Sequence, residues 1–575
     1  MLPRTPLLVG ACLIGLAGPL APQSPTATTS ELRETVDRYA TDRAVLLRRY
    51  DVPYSPARQE RMRTFYEEWR SRLAAVDFAA LGTEGRVDYV LLDHELAYQL
   101  ALLARDGRAF SEMRPWLPFA LTIMDLAEAR RRMEPPDGPQ VAETLTALAH
   151  QVDSVRKAVV ASGKQEGRDR IVGRRAANLL DDLQRSLRSW NRFYANYDPL
   201  FTWWTSEPFR QADASLSAYL EYLRTSVVGV RPGEADPIIG DPIGVEGLRA
   251  DLAHEMIAYT VDELIAIAER AFAWCEAEYR KAAREMGLGD DWRAALERVK
   301  QTYVPPGEQT RLVRDLAAEA TAFVEARDLL TVPPLAKEIW RMEMISPERQ
   351  RVSPFFLGGE VFQVSYPTDA MTHEDKLMSM RGNNPHFSRA TAHHEMIPGH
   401  HLQGFMTSRY QTHRRVFSTP FWGEGWALYW EMLLWDLDFP RGPEDRIGML
   451  FWRSHRAARI IFSLRFHSGT MTPQEAVDFL VDRVGHERAN AEGEVRRSLA
   501  GDYSPLYQAA YMLGGLQFRA LHQELVKPGG MTNREFHDAV LQGGRMPVEM
   551  VRARLTGAAL SRDYDAGWRF YGDPR

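Results

Sequence analysis

The chain has 575 residues, of which 45% are hydrophobic, so it is long enough to bury a large core. Its formal net charge is −6, and no long basic block appears, which gives a nucleic-acid-binding role no support. The only cysteines are Cys12 and Cys275, so ligation of a metal by cysteine is excluded as the main mode.

The N-terminus is typical of a secretory signal peptide. Arg4 precedes an apolar run from Leu7 to Ala21, and a polar stretch follows at 22–30. We expect a signal peptide at 1–24, cleavage near Ala21, and a secreted or periplasmic protein with no membrane span. An uncleaved anchor helix is less favoured, because the run is short for a bilayer, which needs roughly 20 apolar residues. Lipidation at Cys12 is a further alternative.

Apolar residues at three- and four-residue spacing predict helices from Glu31 to about Arg224 and again from Gly247 to about Glu343. A loop rich in Gly and Pro at 230–247 separates them. This pattern predicts an N-terminal helical lobe at 25–235 and a second helical lobe at 236–575, integrated into one domain.

The segment from Phe355 to Pro367 differs from its helical surroundings. Its β-branched and aromatic residues, bounded by glycines and a proline, predict a strand or hairpin. It is either an edge strand for an extended peptide or a short structural hairpin. Helices are expected again from Ala390 to the C-terminus.

Four histidines and a glutamate lie within nine residues, although the whole chain has only fifteen histidines. Imidazoles are the commonest zinc ligands, and a neighbouring glutamate is the usual general base of a metallohydrolase. The five residues are His393, His394, Glu395, His400 and His401.

The spacing within this cluster departs from the usual His-Glu-x-x-His, in which residues four apart share a helical face. Pro398 stands four residues after His394, and His400 stands six residues after it, a rotation of about 240° on a straight helix. Pro398 cannot donate an N–H to the His394 carbonyl. We therefore expect a bulge at Pro398 and Gly399 that returns His400 to the face of His394.

Other histidine pairs are less suitable. His393 with His400, or His394 with His401, would share a face but lie about 10.5 Å apart along the helix, too far for one ion.

The acidic residues of the segment Trp422–Glu431 complete the predicted zinc site. We assign His394, His400 and Glu424 as ligands of one zinc ion, and Glu395 as the general base that takes a proton from the zinc-activated water. Glu431 lies seven residues after Glu424, on the same helical face, and is expected to orient a ligand histidine.

These segments, together with Tyr511-Met-Leu-Gly514, closely resemble a large bacterial family catalogued as domain of unknown function 885. That family is distantly similar to helical zinc peptidases such as thimet oligopeptidase, angiotensin-converting enzyme and carboxypeptidase Taq. The resemblance implies a mainly α, two-lobed fold with a deep cleft, a zinc ion, and peptide substrates. Because those enzymes have the four-residue spacing, the second histidine ligand stays open between His400 and His401.

The resemblance also implies further catalytic residues. A tyrosine that stabilises the oxyanion is expected at Tyr511, with Tyr507 as the alternative. His467 and Arg497 match the family pattern. Arg497 is suited to the C-terminal carboxylate of a peptide, which would make the protein a carboxypeptidase or peptidyl-dipeptidase.

Three functions compete at this stage. A zinc-dependent peptidase acting on short peptides is favoured. The alternatives are a zinc hydrolase of non-peptide amides or esters, which the metal centre alone does not distinguish, and a non-catalytic helical binding protein, against which the intact Glu395 argues. The sequence indicates no oligomeric state.

Overall fold

The computed structural model describes residues 29–163, 166–234, 236–350, 355–499, 501 and 503–571. The expectation of a mainly α protein is confirmed: within these residues the chain forms 23 α-helices and one sheet of two short strands. The predicted signal peptide and Cys12 lie outside the described residues.

Long helices dominate the N-terminal part, up to the Gly- and Pro-rich loop. They are α1 (Arg33–Arg49), α2 (Pro56–Ala74), α3 (Thr83–Met113), α4 (Ala120–Arg131), α5 (Gly138–Ala161), α6 (Gly167–Tyr194) and α7 (Pro199–Tyr222).

The middle of the chain holds shorter helices and the first strand. They are α8 (Gly244–His254), α9 (Val261–Glu285), α10 (Trp292–Lys300), α11 (Gln309–Ala326), α12 (Pro334–Ile339), β1 (Arg341–Met344) and α13 (Pro347–Gln350).

The second strand and ten helices follow. They are β2 (Val361–Val364), α14 (His373–Gly382), α15 (Pro385–Glu395), α16 (His400–Thr407), α17 (Pro420–Asp436), α18 (Pro443–His467), α19 (Pro473–Phe479), α20 (Arg488–Leu499), α21 (Tyr507–Leu525), α22 (Asn533–Gln542) and α23 (Val548–Thr556).

The starts of α15 and α17 are set by local sequence. Asn384 caps α15 by accepting from two backbone N–H groups, and Pro385 occupies the first turn. Thr419 caps α17 by accepting from the Phe421 N–H, and Pro420 occupies its first turn. These two helices carry two of the three predicted metal ligands, so the caps fix the helix starts from which His394 and Glu424 are positioned.

The predicted strand within 355–367 is present as β2, but its partner was not foreseen. β2 pairs in parallel with β1, with Arg341 opposite Val361. The expected hairpin is reduced to one antiparallel bridge between Leu357 and Gln363. Helix was expected up to about Glu343, whereas the chain is already extended from Arg341.

Three large hydrophobic clusters hold the helices together. One lies wholly within 52–227 and joins α4 to α7. A second joins α1, α2 and the first half of α3 to α16, α17, α22 and α23. The third centres on α9, α18 and α21. Because the second cluster spans both sides of residue 235, the first three helices share a core with the C-terminal half.

No described helix is both long and apolar enough to cross a membrane.

Cys275 is free and buried on α9. Burial raises the pKa of its thiol to about 11, so the thiol is protonated and unreactive at neutral pH.

A buried ionic cluster ties α3 to the segment before α17. Asp88 accepts from Arg414 Nε at 2.6 Å and lies 2.7 Å from His413 Nε2, and all three residues are buried. Arg414 also donates to Glu84 at 2.7 Å. Burial would raise the pKa of Asp88, but Arg414 and His413 outweigh it and lower that pKa. Asp88 is therefore ionised in the folded protein.

Replacing Asp88 by Asn is expected to lower the free energy of unfolding by about 3 kcal/mol, because it leaves part of the Arg414 charge buried and unpaired. The lowered pKa means that Asp88 stabilises the fold above its unfolded pKa of about 3.9. The difference from wild type should therefore shrink as the pH falls below about 3.9 and through the lower pKa that Asp88 has in the folded protein. Urea denaturation measures both. Asp37→Asn, at an exposed position on α1, is the control, and an equal loss in both variants would contradict the assignment.

Candidate metal centre

Three helices bring the predicted ligands together. His394 lies in the last turn of α15, His400 begins α16, and Glu424 lies in the first turns of α17. One potential ligand atom from each lies within 4.8 Å of the other two. His400 Nε2 is 3.0 Å from Glu424 Oε2, and His394 Nε2 is 3.6 Å from the same oxygen.

This donor set suits zinc. Ligand atoms about 2.0–2.2 Å from a tetrahedral zinc ion lie roughly 3.4 Å from one another, close to the two separations found here. Two imidazoles and one carboxylate leave a fourth position for water, which is typical of catalytic rather than structural zinc sites.

The helix is interrupted between Glu395 and His400, at the predicted Pro-Gly pair. The Gly399 N–H donates to the His393 carbonyl at 3.0 Å. Trp426, buried on α17, donates from its indole Nε1 to the Pro398 carbonyl at 2.9 Å. A Cβ at Gly399 would lie 1.8 Å from the His394 carbonyl oxygen, so only glycine fits this close approach.

The other two histidines of the cluster face away from the candidate ligands. His401 is buried, and its Nε2 lies 2.6 Å from the Ala336 carbonyl. His393 is fully buried with Nδ1 2.9 Å from the Arg389 carbonyl. The geometry therefore favours His400 over His401 as the second histidine.

The three groups are strongly coupled electrostatically. Burial alone would lower the pKa of His400, but the Glu424 carboxylate outweighs it and raises that pKa to about 9. Burial alone would raise the pKa of Glu424, but His400 and His394 hold it well below its usual range. Glu424 is thus ionised, as a metal ligand must be.

Glu431 supports His394 from the side away from Glu424. Glu431 lies two turns beyond Glu424 on α17, and its Oε1 is 2.7 Å from His394 Nδ1. With Glu431 accepting the Nδ1 proton, Nε2 is the nitrogen left for a metal. Arg456 Nη2 is 3.6 Å from the same Glu431 oxygen.

Glu395 lies beside these ligands and beneath the chain that leads into β2. A Cβ on Gly358 would lie 2.2 Å from Glu395 Oε2 and 2.5 Å from its carbonyl oxygen. The backbone of Gly358 therefore rests directly on Glu395. Burial raises the pKa of Glu395, which suits a group that must accept and then release a proton.

The two candidate tyrosines occupy different environments. The Tyr507 hydroxyl donates to Glu424 Oε1. The Tyr511 ring stacks on His394 at 6.0 Å between centroids, and its hydroxyl forms no hydrogen bond with any described residue. Burial and Glu424 raise the pKa of Tyr511 to about 12, so its hydroxyl keeps its proton and can donate it.

A cavity of about 410 Å³ contains the candidate site. Sequence reasoning missed several of its lining residues, although arginines at three-residue spacing in the apolar helix α18 were a usable signal. The lining includes Gly358, Phe355, Phe356, Trp452, Arg456 and Arg459, beside the predicted His394, Glu395, His400, Glu424, Arg497, Tyr507 and Tyr511.

His467 is the one predicted catalytic residue that the structure does not bring to this cavity. It is buried at the end of α18 and packs edge-on against Phe466 at 5.1 Å. Burial lowers its pKa to about 4. It is absent from the described cavity lining, because it lies eight positions beyond Arg459 on α18, about two helical turns away.

The fold and the site together define a mainly helical protein with a candidate metal centre of two histidines and one carboxylate. Residues 40–555 match the family model described as "Bacterial protein of unknown function (DUF885)", so the chain belongs to that family, as the sequence indicated. No curated protein matches the chain.

Two solved structures share this fold. One, described as a "putative lipoprotein of unknown function", comes from Shewanella oneidensis; it has 17% identity and a TM-score of 0.65, and the match covers 92% of this chain and 99% of that one. The other, described as a "putative lipoprotein", comes from Colwellia psychrerythraea; it has 14% identity and a TM-score of 0.58, with 92% and 97% covered. At these identities the likeness shows the fold alone.

His400→Ala is expected to abolish tight zinc binding, because it removes one of three protein ligands. His401→Gln is the matched control, since its side chain faces the Ala336 carbonyl and glutamine can still donate to it. Metal content of the purified proteins after dialysis against limiting zinc provides the measurement. Zinc retained in His400→Ala but lost in His401→Gln would reverse the ligand assignment.

Proposed function

We propose that the protein is a zinc-dependent peptidase that hydrolyses short peptides. The observation that supports this most directly is the convergence of His394, His400 and Glu424 within 4.8 Å, beside Glu395, in a cavity that a substrate can enter. A purely structural zinc site would be closed by a fourth protein ligand and would have no use for the neighbouring base.

A zinc ion held by these residues would supply a Lewis acid that polarises the scissile carbonyl and lowers the pKa of the attacking water. Glu395 takes a proton from that water while the oxygen of the water forms a bond to the carbonyl carbon. Glu395 then passes the proton to the amine nitrogen as the C–N bond breaks. Gly358, resting on Glu395, restricts the positions that the carboxylate can adopt.

Tyr511 is suited to stabilise the negative oxygen that forms on the carbonyl. Its hydroxyl is free of partners among the described residues, and its ring is held against His394. Tyr507 instead donates to Glu424, which would fix the orientation of that ligand. The two tyrosines therefore divide the roles that the sequence had left open between them.

Arg497 lines the same cavity, as expected for a residue that binds the carboxylate of a peptide end. We accordingly assign the carboxypeptidase or peptidyl-dipeptidase type.

The N-terminal apolar run, and the lipoprotein descriptions of the two similar structures, support a location outside the cytoplasm.

Glu395→Gln is expected to retain about one zinc ion per chain and to lose peptide hydrolysis by about 10²–10⁴-fold, because the ligands stay intact while the base is removed. Metal analysis and a quenched peptide library test this together. Zinc without any peptide turnover in the wild type would favour a hydrolase of non-peptide amides or esters. Absence of zinc after reconstitution would refute the site.

Tyr511→Phe and Tyr507→Phe separate the two tyrosines. Tyr511→Phe is expected to lower kcat by about 10²-fold with zinc affinity unchanged, since it removes only a donor to the developing oxyanion. Tyr507→Phe is expected to weaken zinc binding, because Glu424 loses a hydrogen bond, by about 10-fold. Steady-state kinetics and zinc titration distinguish these outcomes, and the reverse pattern would exchange the two roles.

A further inference from the structure

Three arginines meet on one wall of the candidate active-site cavity. Arg456 and Arg459 are one turn apart on α18, and Arg497 comes from α20. Arg456 and Arg459 are only 5% and 2% exposed, although arginine is almost never buried without a partner. Such a concentration of positive charge in a partly enclosed space is unusual, because buried charges are costly unless negative groups pair with them.

The protein supplies little of that negative charge. Each guanidinium has five N–H donors. Among the described residues, only Arg459 Nε finds a hydrogen-bond acceptor, Glu494 Oε1 at 2.6 Å. Among the described residues, the one ion pair of Arg456 is its 3.6 Å contact with Glu431, which is already hydrogen-bonded to His394, and Arg497 forms none.

Glu494 holds this wall in place. It is fully buried on α20, the helix that also carries Arg497, and it accepts a hydrogen bond from Arg459 of α18. Burial alone would raise its pKa, but Arg459 and Arg497 outweigh it and lower that pKa to about 2. One ionised carboxylate is therefore shared by two guanidiniums. We regard Glu494 as a positioning residue rather than a catalytic one.

The arginines are close to the candidate metal ligands. The guanidinium carbons of Arg456 and Arg459 lie 4.5 and 4.4 Å from the Tyr511 ring centroid. The same ring is 6.0 Å from that of His394. Neither guanidinium can be farther from His394 than the sum of these separations. An extended peptide advances about 3.3–3.6 Å per residue, so this reach corresponds to about three residues at most.

We propose that Arg456, Arg459 and Arg497 form a subsite for a substrate carboxylate located within about three residues of the bond that is cleaved. The inference rests on the proposed peptidase function and names its substrate class: short chains whose cleaved end is anionic. Guanidinium forks bind carboxylates by paired, charge-assisted hydrogen bonds, which are strong where water is excluded.

The carboxylate can come from a chain terminus or from an acidic side chain. A series of matched peptides separates these sources: a free C-terminal acid, the same peptide with a C-terminal amide, and the amide with one glutamate placed near its end. The free acid is expected to exceed the plain amide by at least about 30-fold in kcat/KM. If the glutamate peptide regains the kcat/KM of the free acid, the carboxylate comes from a side chain. If it does not, the carboxylate comes from the chain terminus.

Arg497→Gln tests the subsite with the least structural disturbance, because Arg497 forms no hydrogen bond with the described residues and Glu494 keeps its hydrogen bond from Arg459. The variant is expected to remove most of the difference in kcat/KM between the free acid and the amide, chiefly by lowering the value for the acid. Arg210→Gln, at an exposed position on α7, is the control and should keep the wild-type ratio of the two kcat/KM values. A uniform loss on both peptides would indicate a merely structural arginine and overturn the proposal.

Failure of the subsite and failure of the peptidase proposal give different results. Equal cleavage of acid and amide by the wild type would overturn the subsite and leave the peptidase standing. If no peptide is cleaved, calorimetric binding of the same peptides to zinc-loaded Glu395→Gln still decides the subsite. Tighter binding of the acid, lost on adding Arg497→Gln, would support it, and equal binding would overturn it.

Discussion

The interruption between α15 and α16 is the constraint on which the candidate site depends. On a continuous helix His394 and His400 would face different directions. Four residues leave the helical path, and the chain returns with the two imidazole centroids 4.9 Å apart. The break is held from outside by Trp426 and tolerated inside because Gly399 has no Cβ to collide with the His394 carbonyl. A local departure from the helix thus creates the pair of ligands.

The third ligand is positioned by helix packing. α17 and α21 approach so closely that a Cβ on Gly425 would lie 2.6 Å from the Gly514 backbone. This contact sets Glu424, which precedes Gly425, opposite Tyr507 and Tyr511, the first of which hydrogen-bonds to it. Close backbone approach therefore explains Gly425 and Gly514, and the same crossing brings the acidic ligand and the tyrosines into one cavity.

Charge organises the surroundings of the ligands in layers. Glu431 contacts His394, and Arg456 lies near Glu431. The guanidiniums of Arg456 and Arg459 lie over the Tyr511 ring, which also stacks on His394. Glu494 anchors the far side through Arg459. Because buried charges are costly unless paired, each member of this chain of contacts restricts its neighbours, and a preorganised cavity results.

Local sequence by itself determined the helical class, the family, the break at Pro398 and Gly399, and the residue types that could hold zinc. These are short-range properties: helical periodicity, the missing N–H of proline, and the ligand chemistry of histidine and glutamate. The position of Glu431, two turns after Glu424, also followed from helical geometry alone.

Only the tertiary structure decided how distant elements meet. In the folded protein His401 faces the Ala336 carbonyl, and Tyr507 donates a hydrogen bond to Glu424. His467 lies away from the cavity, and β2 pairs with β1. The tertiary structure also gathered Arg456, Arg459 and Arg497 from two helices onto one wall. The physical reason is that side-chain direction within an element is fixed by its local period, whereas helix crossings and strand pairing depend on packing between residues tens to hundreds of positions apart.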